Sequence, residues 1–149
     1  MSQFSSLLIG NESLAIQCGD LLRGEGHTIA AVVTRNEDVA AWAEAAGLKV
    51  IAPGRDLGAR LGGLDFDWLL SIANLDLIPE DVIALARRGA VNFHDGPLPA
   101  YAGLNAPVWA KLAGEKRHGI SWHLIEGGVD EGDIIASKAF EITDGDTAF

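Results

Sequence analysis

Cysteine is nearly absent: Cys18 is the one thiol in 149 residues, so no internal disulfide can form. A chain without disulfides fits a reducing compartment, and a cytoplasmic location is the expectation. Cys18 falls on a helical pattern and reads as a small buried hydrophobe. Long apolar runs are missing as well, and no stretch of about 18 apolar residues offers a membrane span. The opening MSQFSSLLIG has neither a basic segment nor a small-residue cleavage site, so no signal peptide is expected. Positive charge is scarce: 11 Lys and Arg stand against 21 Asp and Glu, a net charge of −10. The basic clusters, Arg87 with Arg88 and Lys116 with Arg117 and His118, are short. A nucleic-acid partner is therefore not expected, since gripping phosphate backbones takes a basic face. The four histidines, His27, His94, His118 and His123, show no H-x-x-x-H spacing and have no cysteine pair beside them, so no metal site is expected. Neither a G-x-S-x-G elbow nor a phosphate-binding P-loop is present.

What is present is a regular alternation. SSLLIG, HTIAAVVT, LKVIAP, DWLLSI and AVNFH read as strands, the second of them β-branched and apolar as a buried strand should be. Between them lie helical patterns. ESLAIQCGDLLRG closes on Gly24, NEDVAAWAEAAG opens on Asn36 as N-cap, and IPEDVIALARRG starts at Pro79 with acids first and arginines last. LNAPVWAKLAGE reads as a further helix, then GISWHLIE and DIIASKAFEI as two strands joined by a short glycine-rich link. The pattern predicts an α/β fold, a Rossmann-like three-layer sandwich whose mostly parallel sheet ends in an antiparallel C-terminal strand. Trp42, Trp68 and Trp109 are expected in the core, and His27 and His118 at the surface. No linker divides the chain. The final ITDGDTAF stops where a helix would begin, so residues 1–149 are expected to be one domain, C-terminally truncated from a larger polypeptide.

Open α/β sheets place ligands at the carboxyl ends of their strands. After the first strand the chain has Gly10, but Glu12 and Ala15 occupy the other two glycine places of a dinucleotide fingerprint. An acid where a pyrophosphate would approach argues against that use. It leaves Gly10 as a tight turn, with Asn11 and Glu12 pointing into the crevice towards a substrate. At the end of the fifth strand comes NFHDGPLPAYAGLNAP, residues 92–107. Asn92 and His94, two apart on a strand, share a face, with Phe93 turned to the other. Asn can donate to a developing oxyanion, and His can donate a hydrogen bond or a proton. Local capping by the same two side chains is the plainer alternative. The third strand end, HLIEGGVDEGDI, carries Asp130 among Glu126, Glu131 and Asp133. The spacing does not suit calcium. Either the loop is a solvated acidic turn, or Asp130 reaches the Asn92–His94 face and shuttles protons there. His123 is expected to be a satisfied core histidine or to line the site, rather than to bind metal.

The ordered Asn-x-His, a Pro-rich LP turn and an Asp within a GGxDxGDI loop resemble the folate-dependent formyltransferases. That family includes methionyl-tRNA formyltransferase, glycinamide ribonucleotide transformylase and the sugar-nucleotide N-formyltransferases. The resemblance spans nearly the whole chain. It implies an enzyme that moves a formyl group from 10-formyltetrahydrofolate to an amine without metal, with Asn92, His94 and Asp130 catalytic. It also implies a folate donor held by Asn74, Leu75, Asp76 and Leu77 and by Glu126, Gly127, Gly128, Val129 and Glu131. His123 matches a site-lining histidine of some members, so Asn11, Glu12 and His123 make the expected substrate-facing set. Ala102 stands where many members carry an arginine. The segment FHDGPLPAYAGLNAPVWA looks most like formyltransferase domains of nonribosomal peptide and polyketide synthases, which implies a carrier-bound aminoacyl acceptor. A sugar-nucleotide amine, or a non-catalytic module of a megasynthase, are the alternatives.

Overall fold

The computed structural model describes residues 2–148, which gather into two compact units, one ending at Val91 and one beginning at Asn92. The boundary falls inside a strand, so no linker composition marks it.

The first unit runs β1 (Ser5–Ile9), α1 (Ser13–Gly24), β2 (Thr28–Val33), α2 (Glu37–Ala45), β3 (Val50–Ile51), α3 (Leu57–Leu61), β4 (Trp68–Ser71) and α4 (Glu80–Ile83). β1 pairs in parallel with β2 and β4, and β2 pairs in parallel with β3. The strands are apolar on both faces because helices cover them. Leu7, Leu8, Val32, Val33 and Leu69 are buried on the strands, and Ala15, Val39, Ala43, Leu61 and Val82 are buried on the helices. Each fully buried Val or Leu contributes about 1.5–3 kcal/mol. Asn36 caps α2 as its position predicts, accepting from the N–H groups of Asp38 and Val39 at 2.9 and 3.0 Å. Gly10 is obligatory for space: a Cβ there would sit 2.5 Å from the carbonyl oxygen of Ile72.

β5 (Gly89–His94) carries the chain into the second unit, followed by α5 (Ala106–Leu112), β6 (Arg117–Leu124) and β7 (Ile134–Glu141). β6 and β7 are antiparallel. Parallel pairing early, helices between strands and an antiparallel pair at the C-terminal side make the Rossmann-like α/β class expected from the sequence.

Several expectations are corrected. Arg87 and Arg88 do not close a helix. α4 is four residues long, and the backbone N–H groups of the two arginines donate to Phe66 and Asp67 carbonyls instead. Their guanidinium groups pair with Asp65 and Asp67. Trp109 is not core; it lies on the open side of α5 and is 59% exposed. His118 is not at the surface but buried. Its Nε2 donates to the Asp95 carbonyl at 2.8 Å, and its ring lies edge-on to Tyr101 and Phe140. Cys18 is only half-buried, and burial pushes its thiol up from the ordinary range.

Candidate active site

The carboxyl end of β5 and the loop after β6 meet within the second unit. Asn92 and His94 share a face of β5, as period two requires. The Asn92 amide Nδ2 lies 3.2 Å from His123 Nε2. His123 Nδ1 is 2.8 Å from the Leu124 carbonyl, which can only accept, so Nδ1 carries the proton and Nε2 presents a lone pair to the amide. Among the described residues the Asn92 amide Nδ2 makes no other hydrogen bond.

His94 is buried, and its Nε2 donates to the Tyr101 carbonyl at 2.7 Å. That bond fixes the ring plane and turns Nδ1 towards Asp130, whose Oδ2 is 3.5 Å away. The distance exceeds hydrogen-bond contact, so Nδ1 keeps freedom to meet a third group. Asp130 is buried at its carboxylate although its loop is open: the side chain is 8% exposed. Oδ2 accepts the Gly103 N–H at 2.8 Å, while Oδ1 faces His123 Nε2 at 3.4 Å. The four residues thus form a chain, Asn92 to His123 to Asp130 to His94.

The loop between β5 and α5 is built for this. Ser121, fully buried on β6, donates to the Gly96 carbonyl at 2.8 Å and accepts the Leu98 N–H at 3.0 Å. Leu98–Pro99 is a cis peptide, and Tyr101 and Asn105 take left-handed backbone angles of +57° and +61°. Asp130 itself has φ +57°. Such angles in non-glycine residues concentrate where function over-determines the backbone. Tyr101 is further held by its hydroxyl, which donates to Glu115; that bond to a carboxylate, with burial and the Glu115 charge, pushes the phenol up.

The remaining expected residues fall as follows. Glu126, Gly127, Gly128, Val129 and Glu131 lie on the exposed rim of the Asp130 loop, closed by a bond from the Gly128 N–H to the Glu131 carboxylate at 2.9 Å. Asn74, Leu75, Asp76 and Leu77 follow β4 in the first unit, with Leu75 and Leu77 77% and 82% exposed. Asn11 also lies there, and both ends of its amide are engaged by protein groups. Glu12 is exposed at the start of α1. Asn11, Asn74, Asp76 and Leu77 line a cavity of about 620 Å³ in that unit, with Arg35 and Arg55. Sequence reasoning missed Tyr101, Gly103 and Ser121, whose parts are played mostly by backbone groups. Among the described residues no set of three or more His, Cys, Asp or Glu is arranged to hold a metal, and no helix is long and apolar enough to cross a membrane.

Amide and imidazole groups thus stand beside a buried carboxylate on a Rossmann-like scaffold. The chain belongs to the family described as Formyl transferase, whose profile matches residues 55–149. It is 31% identical to a methionyl-tRNA formyltransferase of Anaeromyxobacter dehalogenans over 94% of this chain and 50% of that protein. It is 36% identical to a GDP-perosamine N-formyltransferase of Brucella melitensis over 57% of this chain and 33% of that one. Among solved structures, glycinamide ribonucleotide transformylase 1 from Symbiobacterium toebii superposes with a TM-score of 0.84 at 25% identity, covering 98% of this chain and 77% of that chain. The chain spans about half the length of the curated methionyl-tRNA formyltransferases it matches.

Proposed function

We propose that this protein transfers a formyl group from 10-formyltetrahydrofolate to an amine. The observation that carries this reading is the buried Asp130 carboxylate standing between His94 and His123, with Asn92 on the same strand face. The amine attacks the formyl carbon and a tetrahedral oxyanion forms. The Asn92 amide can donate to it, and so can His94 Nδ1 when the imidazole carries a proton on both nitrogens; removing one such donor costs roughly 3–4 kcal/mol of transition-state stabilisation. The attacking amine must lose a proton and the departing folate nitrogen must gain one. Asp130 takes the first and passes it to the second. No step needs a metal.

The donor is assigned to the 74–77 and 126–131 segments on the family resemblance. For the acceptor we propose a carrier-bound aminoacyl group, from the FHDGPLPAYAGLNAPVWA wording and the acidic charge. A sugar-nucleotide amine is the second reading, favoured by the identity to the GDP-perosamine enzyme. The cytoplasm is the proposed compartment, from the single thiol.

The test is to mix the protein with 10-formyltetrahydrofolate and each amine class, following tetrahydrofolate release and product mass. Formylated product, lost in His94→Ala, is expected. Tight donor binding without turnover on any amine would point to a non-catalytic module, and no donor binding would remove the folate reading altogether.

A further inference from the structure

Four residues at the carboxyl ends of β1, β2 and β4 close a ring in the first unit. Asn11 Oδ1 accepts the backbone N–H of Arg35 at 2.9 Å and the Thr34 hydroxyl at 3.3 Å. Asn11 Nδ2 donates to Asn74 Oδ1 at 3.4 Å. Asn74 in turn donates to the Asp76 carbonyl at 2.9 Å and accepts the Asp76 N–H at 3.3 Å. The Asp76 carboxylate pairs with the Arg35 guanidinium, which returns to the start. The backbone N–H of Asn11 also donates to Ala73, whose φ of +50° is a left-handed angle that an alanine rarely adopts. A strained joint of that kind persists only where its surroundings over-determine it. Here the surroundings are the ring. Leu75 and Leu77, on the same segment, are exposed apolar side chains.

We propose that Arg35 and Asn11 are positioning residues for donor binding: the ring locks the 74–77 segment in its receptive shape, and Arg35 sets donor affinity through Asp76. The inference rests on the reading that this segment receives the folate. Arg35 is already neutralised by Asp76, so its charge is not free to grip the donor's carboxylates. A preformed segment spares the donor the cost of ordering it, which appears as affinity rather than as rate.

The test is titration of the wild-type chain and variants with 10-formyltetrahydrofolate, alongside kcat and donor KM. Wild-type binding comes first, and its failure removes the folate reading itself before any variant is made. Given wild-type binding, Arg35→Met and Asp76→Asn are each expected to weaken the donor about threefold to fivefold, the range of an exposed ion pair. The double variant is expected to be no weaker than either single one, and Arg35→Lys to recover most of the loss. With Arg35→Met, KM rises while kcat at saturating donor holds. Three outcomes overturn the proposal: tighter donor binding in Asp76→Asn, which would mean a freed Arg35 grips the donor directly; additive losses in the double variant; or a fall in kcat with donor affinity unchanged.

Discussion

The backbone N–H of Gly103 donates to Asp130 Oδ2 at 2.8 Å, tying the loop after β5 to the loop after β6. The same oxygen faces His94 Nδ1. One carboxylate therefore serves both loop closure and proposed proton transfer, and substitution can separate the two. Asn retains an acceptor for Gly103 and tolerates the left-handed angle at this position, but it cannot carry the proton. Asp130→Asn is expected to lose about 10²–10⁴ in turnover with little change in melting temperature. Asp130→Ala is expected to lose turnover equally and melt lower. Steady-state kinetics beside thermal melts check this; an active Asp130→Asn would remove Asp130 from the mechanism.

Gly96 is the second place where the site has no slack. A Cβ there would lie 2.8 Å from His94 Nε2 and 2.9 Å from the Tyr101 carbonyl, the two atoms of the bond that orients the imidazole. Gly96→Ala is expected to push them apart and destabilise by about 1–3 kcal/mol, as overpacking does, with kcat falling more than donor KM. Denaturant melts and kinetics on the same sample separate the two losses. Unchanged kcat would mean that the His94–Tyr101 bond does not govern the chemistry.

Asn92 and His123 act as one unit in the proposed mechanism, because the His123 lone pair fixes which way the amide points. His123→Ala lets the amide rotate, so its effect should overlap with that of Asn92→Ala. The double variant is expected to be about as impaired as Asn92→Ala alone, a non-additive pair in a kinetic cycle. Additive losses would show that His123 works independently, through Asp130.

Period two was enough to put Asn92 and His94 on one face, and punctuation by Gly, Pro and Asn was enough to order the strands. The Asn36 cap could be read from one residue and its neighbours. What could not be read was whatever depends on backbone groups or distant partners. The acceptor for His94 is a carbonyl, which every residue has, so nothing in the letter Tyr101 announces it. His118 looked like a surface residue in a charged run. It is buried because the Asp95 carbonyl and two aromatic rings, far along the chain, enclose it. Arg87 and Arg88 suited a helix end by local rule, yet Asp65 and Asp67 offered them a better partnership than a helix dipole. Arg35 escaped notice for the same reason: its partner, Asp76, is on another strand end.

Asp67 gives a prediction about stability in the first unit. The Ser5 backbone N–H, donating at 2.9 Å, holds its carboxyl below the usual range, aided by the charges of Arg87 and Arg88 and by the Ser5 hydroxyl; burial works against them. A carboxyl whose pKa is lower folded than unfolded binds protons more readily in the unfolded chain. Its stabilisation is fully present above the unfolded value, about 4, and is lost as the pH falls from there through the folded value. Asp67→Asn keeps an acceptor for Ser5 but gives up the charge. It is expected to melt below wild type at neutral pH, with the gap narrowing as the pH drops under about 4. Melting curves taken from neutral to acidic pH check the sign. A gap that stays constant, or widens in acid, would mean that Asp67 acts through packing and not through its charge.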